Sequence, residues 1–372
     1  MFDEIISNYE KLHLIQFDLE GAGFGAMLLQ TLNQLRYCDK NNFYPIVAYT
    51  ENNRSAFFDR SKGVTLWEQY FEPVRPFSYT DLTRLRKKVN IESCIHTLST
   101  AEALRISEEH TNSVYTYPFG KWRIQGVGDL DRWYNSQRKK GRETVAKYIR
   151  PKLSIQRKVD TFFEINLADS FVLGVHIRGT DLHYAPAVSP AEYFPYVDEY
   201  IKKEPSLKLI IATDQSQYLS VFEERYGNRV VSSNAFRSDN EIAPFQRKEI
   251  SPYQKGEDVL VDILLLSKSN FLLKGCSNVG EMALYFNPKL ECLDIGYKKD
   301  KAYGQDYGKG WDNMTNPPAW KLISQRGLQE IAGDVSSQNK RQLALYNFRK
   351  WTKRLRVYMG KMKRVFEWTK HH

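Results

Sequence analysis

The chain has few cysteines: four in 372 residues, Cys38, Cys94, Cys276 and Cys292, with no C-x-x-C pair and no clustered histidine beside them. That spacing excludes a zinc-finger type of site and a disulfide framework, so the thiols are expected to be reduced and mostly buried. No apolar run approaches the ~20 residues that a membrane-spanning helix needs. Residues 1–10 carry neither a basic n-region nor an apolar h-region, and the expectation is a protein that stays in the cytoplasm where it is made. The P-loop, G-x-S-x-G, H-E-x-x-H and protein-kinase signatures are all missing, which removes the enzyme classes built on them. A charge excess is missing too from most of the chain. Eleven Lys and Arg against one Glu fall within 340–372, a surplus equal to the +10 of the whole protein.

What is present reads as a soluble α/β protein, with 42% hydrophobic and 26% charged residues. The length suits two domains, expected over 1–150 and 151–320, followed by a helical region over 321–372 with a basic tail. The pattern predicts a strand over 12–17, a glycine turn, a helix carrying Leu28, Leu29, Leu32 and Leu35, and a second strand over 44–49. From 51 to 116 the pattern is irregular, with only short strands such as 113–117 legible, and 129–149 and 154–164 read as helices around Arg150-Pro151. Beyond that point strands (171–177, 207–212, 229–232, 271–274, 290–294) alternate with helices (189–203, 215–225, 257–267, 277–286). Such alternation implies a parallel sheet covered on both faces, with ligands bound beyond the carboxyl ends of its strands.

Those strand ends carry the candidate chemistry. The strand ending at Ile177 runs into Arg178-Gly179-Thr180-Asp181, and period-two alternation points His176 and Arg178 to one side. An arginine there suits a diphosphate, offering bidentate bonds and a permanent charge; the other reading is an arginine paired to Asp181 and a core histidine. Asp214, after the next strand, is either a helix cap or a site carboxylate. Ser277-Asn278-Val279-Gly280 opens a helix whose free N–H groups either take an anion or are simply capped by Ser277. Asp262 sits on an otherwise apolar helix face and needs a specific partner; guanine, with two adjacent donors on one edge, would be one. Gly21-x-Gly23-x-Gly25 lacks dinucleotide-fingerprint spacing, and Asp129-Leu-Asp131 reads as helix-start charge rather than a metal-binding Asp-x-Asp.

The string His176-Ile-Arg178-Gly-Thr180-Asp181 resembles the His-x-Arg-x-Thr-Asp motif of the fucosyltransferase superfamily, which includes rhizobial nodulation-factor and core α-1,6-fucosyltransferases. Ala212-Thr213-Asp214, the segment from Asp258 through Asp262 to Ser267, the strand and serine turn over 271–281, and the glycine turn over 21–25 are similar to further motifs of that family in the same order. The resemblance implies a GT-B-like fold of two Rossmann-type domains with parallel sheets, a GDP-fucose donor site in the second, and no metal cofactor. It implies Arg178 on the β-phosphate, His176 on the nucleotide, Asp262 on guanine, Asp214 with the donor, Ser277 and Asn278 at the phosphates, and Gly23, Phe24 and Gly25 along the sugar. The core α-1,6 enzymes have a second arginine where this chain has Gly179, a lysine where it has Leu182 and a glutamate near Pro186. With those missing, the base candidates are Asp181 and His183, and the linkage stays open.

Within 340–370 the basic residues interleave with Leu343, Phe348, Trp351, Leu355, Tyr358 and Val365 at largely helical spacing. That predicts a basic amphipathic helix suited to an anionic membrane surface, with packing onto the protein or nucleic-acid contact as other uses. The expectation is an inverting fucosyltransferase acting on a bacterial surface glycan or its lipid-linked precursor, peripheral to the inner leaflet. A transferase for another nucleotide sugar and a non-catalytic GDP-sugar or glycan-binding module are the alternatives.

Overall fold

Short apolar runs separated by amphipathic stretches fold here into two parallel sheets. The structure, a computed structural model, describes residues 2–111, 130–180, 188–275 and 277–295. Its first half contains α1 (Phe2–Asn8), β1 (Lys11–Ile15), α2 (Phe24–Asn41), β2 (Phe43–Val47), α3 (Leu66–Tyr70), α4 (Tyr79–Arg86), β3 (Ile95–Thr97), α5 (Thr100–Thr111) and α6 (Leu130–Tyr148). The second half contains α7 (Leu153–Leu167), β4 (Val172–Ile177), α8 (Phe194–Lys203), β5 (Lys208–Thr213), α9 (Ser216–Tyr226), β6 (Val230–Val231), α10 (Pro252–Ser267), β7 (Phe271–Lys274), α11 (Asn278–Phe286) and β8 (Glu291–Asp294).

The first sheet has the order β2-β1-β3 and the second β6-β5-β4-β7-β8, with every pairing parallel. All six positions of β4 are buried, as a central parallel strand covered on both faces requires. In each sheet the first strand, β1 or β4, has later strands on both sides. Their carboxyl ends are therefore the topological switch points where the crossovers diverge and leave a crevice.

The α/β class with parallel sheets is as the sequence pattern implies, and most elements of the second half lie within a few residues of expectation. Three corrections have local causes. The helix expected over 189–203 is a 3-10 turn, Pro190–Glu192, followed by α8, because Pro195 lacks an N–H and fits only in a first turn. α10 starts at Pro252 rather than 257: Ser251 caps it by accepting from the Gln254 N–H at 3.2 Å, and proline occupies the first helical position. The stretch over 51–116 is not irregular throughout, for it holds α3, α4, β3 and α5. Thr65 caps α3, and Ser78 with Asp81 forms a reciprocal capping box on α4. The strand expected over 113–117 and the basic tail lie outside the described residues.

One hydrophobic core runs beneath both sheets. It joins Ile15, Leu28 and Leu32 of the first half with Val145 and Tyr148 of α6, Leu260 and Ile263 of α10, and Met282 and Leu284 of α11. Each such side chain contributes about 1.5–3 kcal/mol by leaving water. Polar pins reinforce the join. The buried Tyr70 hydroxyl reaches the Phe57 carbonyl at 2.9 Å and the Tyr253 carbonyl at 2.9 Å, tying α3 to the start of α10. Arg138 of α6 makes a two-pronged bond to Glu281 of α11, at 2.8 and 3.0 Å.

Candidate functional site

The carboxyl ends of β1 and β4 open on one cleft of about 290 Å³. At the end of β4, His176 is almost fully buried, and its Nδ1 has no hydrogen-bond partner. Burial first, then the charges of Arg178 and Lys274, pull its imidazole down to about 3, so it is neutral at any ordinary pH. The side chain lines the cleft. Arg178 also lines the cleft; its Nε donates to the Thr180 carbonyl at 3.5 Å and stands 3.9 Å from Asp214.

Asp214 is not the cap of α9, whose cap position is Gln215. Its carboxylate instead accepts from the Gly179 N–H at 2.7 Å, the Thr180 N–H at 3.3 Å and the Thr180 hydroxyl. It thus fixes the turn that carries Arg178. Burial raises its carboxyl, and Arg178 and those hydrogen bonds draw it back.

Two helices begin in this cleft. Gly23 is the cap position of α2, and Ser277 caps α11 by accepting from the Val279 N–H at 3.3 Å. Phe24, Gly25, Asn278 and Val279, the first residues of both helices, line the cleft, and first-turn N–H groups have no partner within their helix. The two starts touch. A Cβ on Gly25 would stand 2.8 Å from the Cβ of Asn278, so only glycine allows the approach. Gly280 serves the same purpose further along α11, since a Cβ there would meet the Lys274 side chain at 2.9 Å and His176 Nδ1 at 3.5 Å.

Carboxylates enter from α10. Asp262 Oδ1 accepts from the Ser233 hydroxyl at 2.5 Å, and Asp258, one turn earlier, accepts from the Phe236 N–H at 3.0 Å. Burial pushes the Asp262 carboxyl up to about 6, against the pull of Arg237 and Ser233. Asp258 is pushed upward for the same reason.

The structure therefore brings Gly23, Phe24, Gly25, His176, Arg178, Asp214, Asp262, Ser277 and Asn278 to one cleft. The Phe24 ring is an exception in character, for it turns into the core against Phe57 and Tyr70. Asp181 and His183 lie outside the described residues. Sequence reasoning missed Phe57, Phe236, Phe245 and Lys255, which line the same cleft. Lys255 was findable from the Ser251-Pro252 helix start; the three phenylalanines lie in aperiodic segments that give no signal. Among the described residues no three His, Cys, Asp or Glu side chains gather as a metal site needs, and no helix is long and apolar enough to cross a membrane. Cys38 is buried, Cys94 and Cys292 are half-buried, and none of the three is in a disulfide; Cys276 is outside the described residues. Asp129 and the side chain of Asp131 lie outside the described residues.

No protein-family model matches the chain, and no curated protein does. Among solved structures the chain is similar to fucosyltransferase NodZ from Bradyrhizobium, at 14% identity and a TM-score of 0.40, covering 75% of this chain and 94% of that one. It is similar to a mutant of Arabidopsis thaliana FUT1 in complex with GDP, at 10% identity and a TM-score of 0.44 over 79% and 74% of the two chains. POFUT1 in complex with GDP-fucose gives 10% identity and a TM-score of 0.43 over 78% and 98%. Likeness at this level does not by itself define a family.

Proposed function

We propose that the cleft binds a GDP-sugar and that the protein is an inverting, metal-independent glycosyltransferase that moves L-fucose from GDP-fucose to a hydroxyl of a bacterial surface glycan or its lipid-linked precursor. The observation that carries the reading is the pairing, in one cleft, of a buried carboxylate with a diphosphate-type anion cradle. Asp262 is an acceptor matched to the adjacent N1–H and N2–H donors of guanine, whereas Arg178 and the starts of α2 and α11 favour a diphosphate. His176 supplies an uncharged ring with a nitrogen to spare.

Transfer leaves negative charge on the departing diphosphate. Arg178, braced by the Thr180 carbonyl and by Asp214, and the helix-start N–H groups line the cleft, and fixed donors of this kind would stabilise that charge without reorganising. Asp181 and His183 are the candidates for the base that takes the acceptor proton. The basic tail supports a place on the inner face of the cell membrane, which flotation with anionic liposomes, with and without 340–372, tests.

Calorimetric titration in EDTA tests the donor reading, using GDP, GDP-fucose and UDP against the intact chain and Arg178→Ala. The expected result is micromolar binding of the guanine ligands alone, lost in the variant. Equal affinity for UDP would leave a transferase for another nucleotide sugar. Binding without turnover on any glycan acceptor would leave a non-catalytic module.

A further inference from the structure

Asp262 is not the only carboxylate that α10 brings to the cleft. Asp258, four residues earlier, lines it too, and at 1.5 Å per residue the two stand about 6 Å apart along one face of the helix. One turn holds both. Asp262 Oδ1 accepts from the Ser233 hydroxyl at 2.5 Å and Asp258 Oδ2 from the Phe236 N–H at 3.0 Å. Arg237 Nη1 fixes the turn itself, donating to the Ser233 and Ala235 carbonyls at 3.0 and 2.8 Å. Each carboxylate thus commits one oxygen to residues 233–237, and its second oxygen accepts no hydrogen bond from any described residue.

The direction of the helix orders the pair. α10 connects β6 to β7, two strands of one parallel sheet, so it runs back against the strands and its first turns stand at their carboxyl ends. Asp262 is therefore the lower of the two, and Asp258 lies nearer the level of Arg178 and the start of α11. That is the order of a nucleotide: base, ribose, diphosphate. GDP has few hydrogen-bond donors. Beyond N1–H and N2–H of guanine they are the ribose 2′- and 3′-hydroxyls, and an ionised carboxylate only accepts.

We propose, resting on the donor reading above, that Asp258 binds the ribose hydroxyls of the nucleotide and makes the cleft selective for ribonucleotides over deoxyribonucleotides. With Asp262 on the guanine edge, the second free acceptor stands one helical turn towards the diphosphate, where the ribose lies. A hydroxyl donating to a carboxylate makes a charge-assisted bond, and a ligand without hydroxyls leaves that carboxylate desolvated and unpaired. Phe236, whose N–H Asp258 holds, also lines the cleft, so one turn positions both the anchor and the wall beside it.

The test is calorimetric titration of the full chain with GDP and with 2′,3′-dideoxy-GDP at pH 7.5. Neither ligand carries the sugar, so only the ribose differs. The intact protein should bind GDP about 10- to 100-fold more tightly than the dideoxy ligand. Asp258→Ala should bring the two affinities together, at the value the intact protein shows for dideoxy-GDP, and Asp262→Asn should keep the ratio while weakening both. Asp258→Asn, which keeps an acceptor for the Phe236 N–H, should also lower the ratio by losing the charge. A role confined to holding Phe236 weakens both ligands alike in the alanine variant and leaves the ratio intact. GDP bound without ribose dependence, or a native ratio in the Asp258 variants, overturns this assignment and leaves the donor reading standing; no binding of GDP removes both.

Discussion

Asp262 should set the pH dependence of donor binding. Its carboxyl lies at about 6 because burial disfavours the charge, whereas a carboxylate must be ionised to accept from two guanine N–H groups. Affinity is therefore lost as pH falls through 6. With that value the ionised fraction drops to about one in eleven at pH 5, so GDP-fucose should bind about tenfold more weakly at pH 5.0 than at 7.5. GDP-fucose is the right probe because its diphosphate is esterified at both ends and does not titrate in this range. His176, near 3, stays neutral throughout. Asn at 262 keeps the shape and an acceptor for Ser233 but presents its own N–H₂ to the guanine edge, at a cost of roughly 2–4 kcal/mol, or about 30- to 1000-fold in affinity. Stability should move the other way. A carboxyl raised on folding contributes most below its unfolded value and loses that contribution as pH rises through 6, so Asp262→Asn should raise the Tm of the ligand-free protein at pH 7.5, by a free energy of order 1–3 kcal/mol. Calorimetry across pH and thermal melts measure both. A flat affinity between pH 5.0 and 7.5, or native affinity in Asp262→Asn, would refute the assignment of this carboxylate to the base.

Three further outcomes follow from the same contacts. Gly280→Ala forces a Cβ against the buried Lys274 side chain and should lower the Tm by the equivalent of about 1–3 kcal/mol, read by melts. Glu281→Gln leaves Arg138 and Lys274 buried without their counter-charge and should destabilise the fold by about 3–5 kcal/mol in urea titration. Arg138 and Lys274 hold the Glu281 carboxyl down at about 2 despite its burial, so the native protein should lose stability as pH falls below about 4 towards 2, and the glutamine variant should show less of that loss. Asp214→Asn removes the carboxylate that receives the Gly179 and Thr180 N–H groups, and it should weaken GDP binding about tenfold or more with little change in secondary structure by circular dichroism.

The second half was legible because its signals are local. Buried strands such as β4 and β7 are continuous apolar runs, and the residues that end them, His176 with Arg178 and Ser277 with Asn278, follow directly in sequence. What escaped depends on contacts between distant segments or on caps left unread. Thr65, Ser78 with Asp81, and Ser251 before Pro252 are start signals present in the chain, yet the aromatic and charged residues around them obscure the helical period. The role of Asp214 was hidden for another reason. Its place before a helix suggests a cap, and only folding brings the Gly179 and Thr180 N–H groups, 35 and 34 residues away, to its oxygens. Nor does any pattern in 21–25 announce that Gly25 must admit Asn278.

The continuous core beneath the two sheets limits how the chain can be cut or rearranged. Apolar faces of α2 and α6 are covered by α10 and α11, so a fragment ending near residue 150 would carry a wide, water-exposed hydrophobic face, and so would the remainder. Each piece alone should aggregate, whereas the two co-expressed should reassemble through the Arg138–Glu281 and Tyr70–Tyr253 contacts. A lineage carrying such a fold inherits it whole: swapping one half between relatives transplants a surface that fits only the partner it came with.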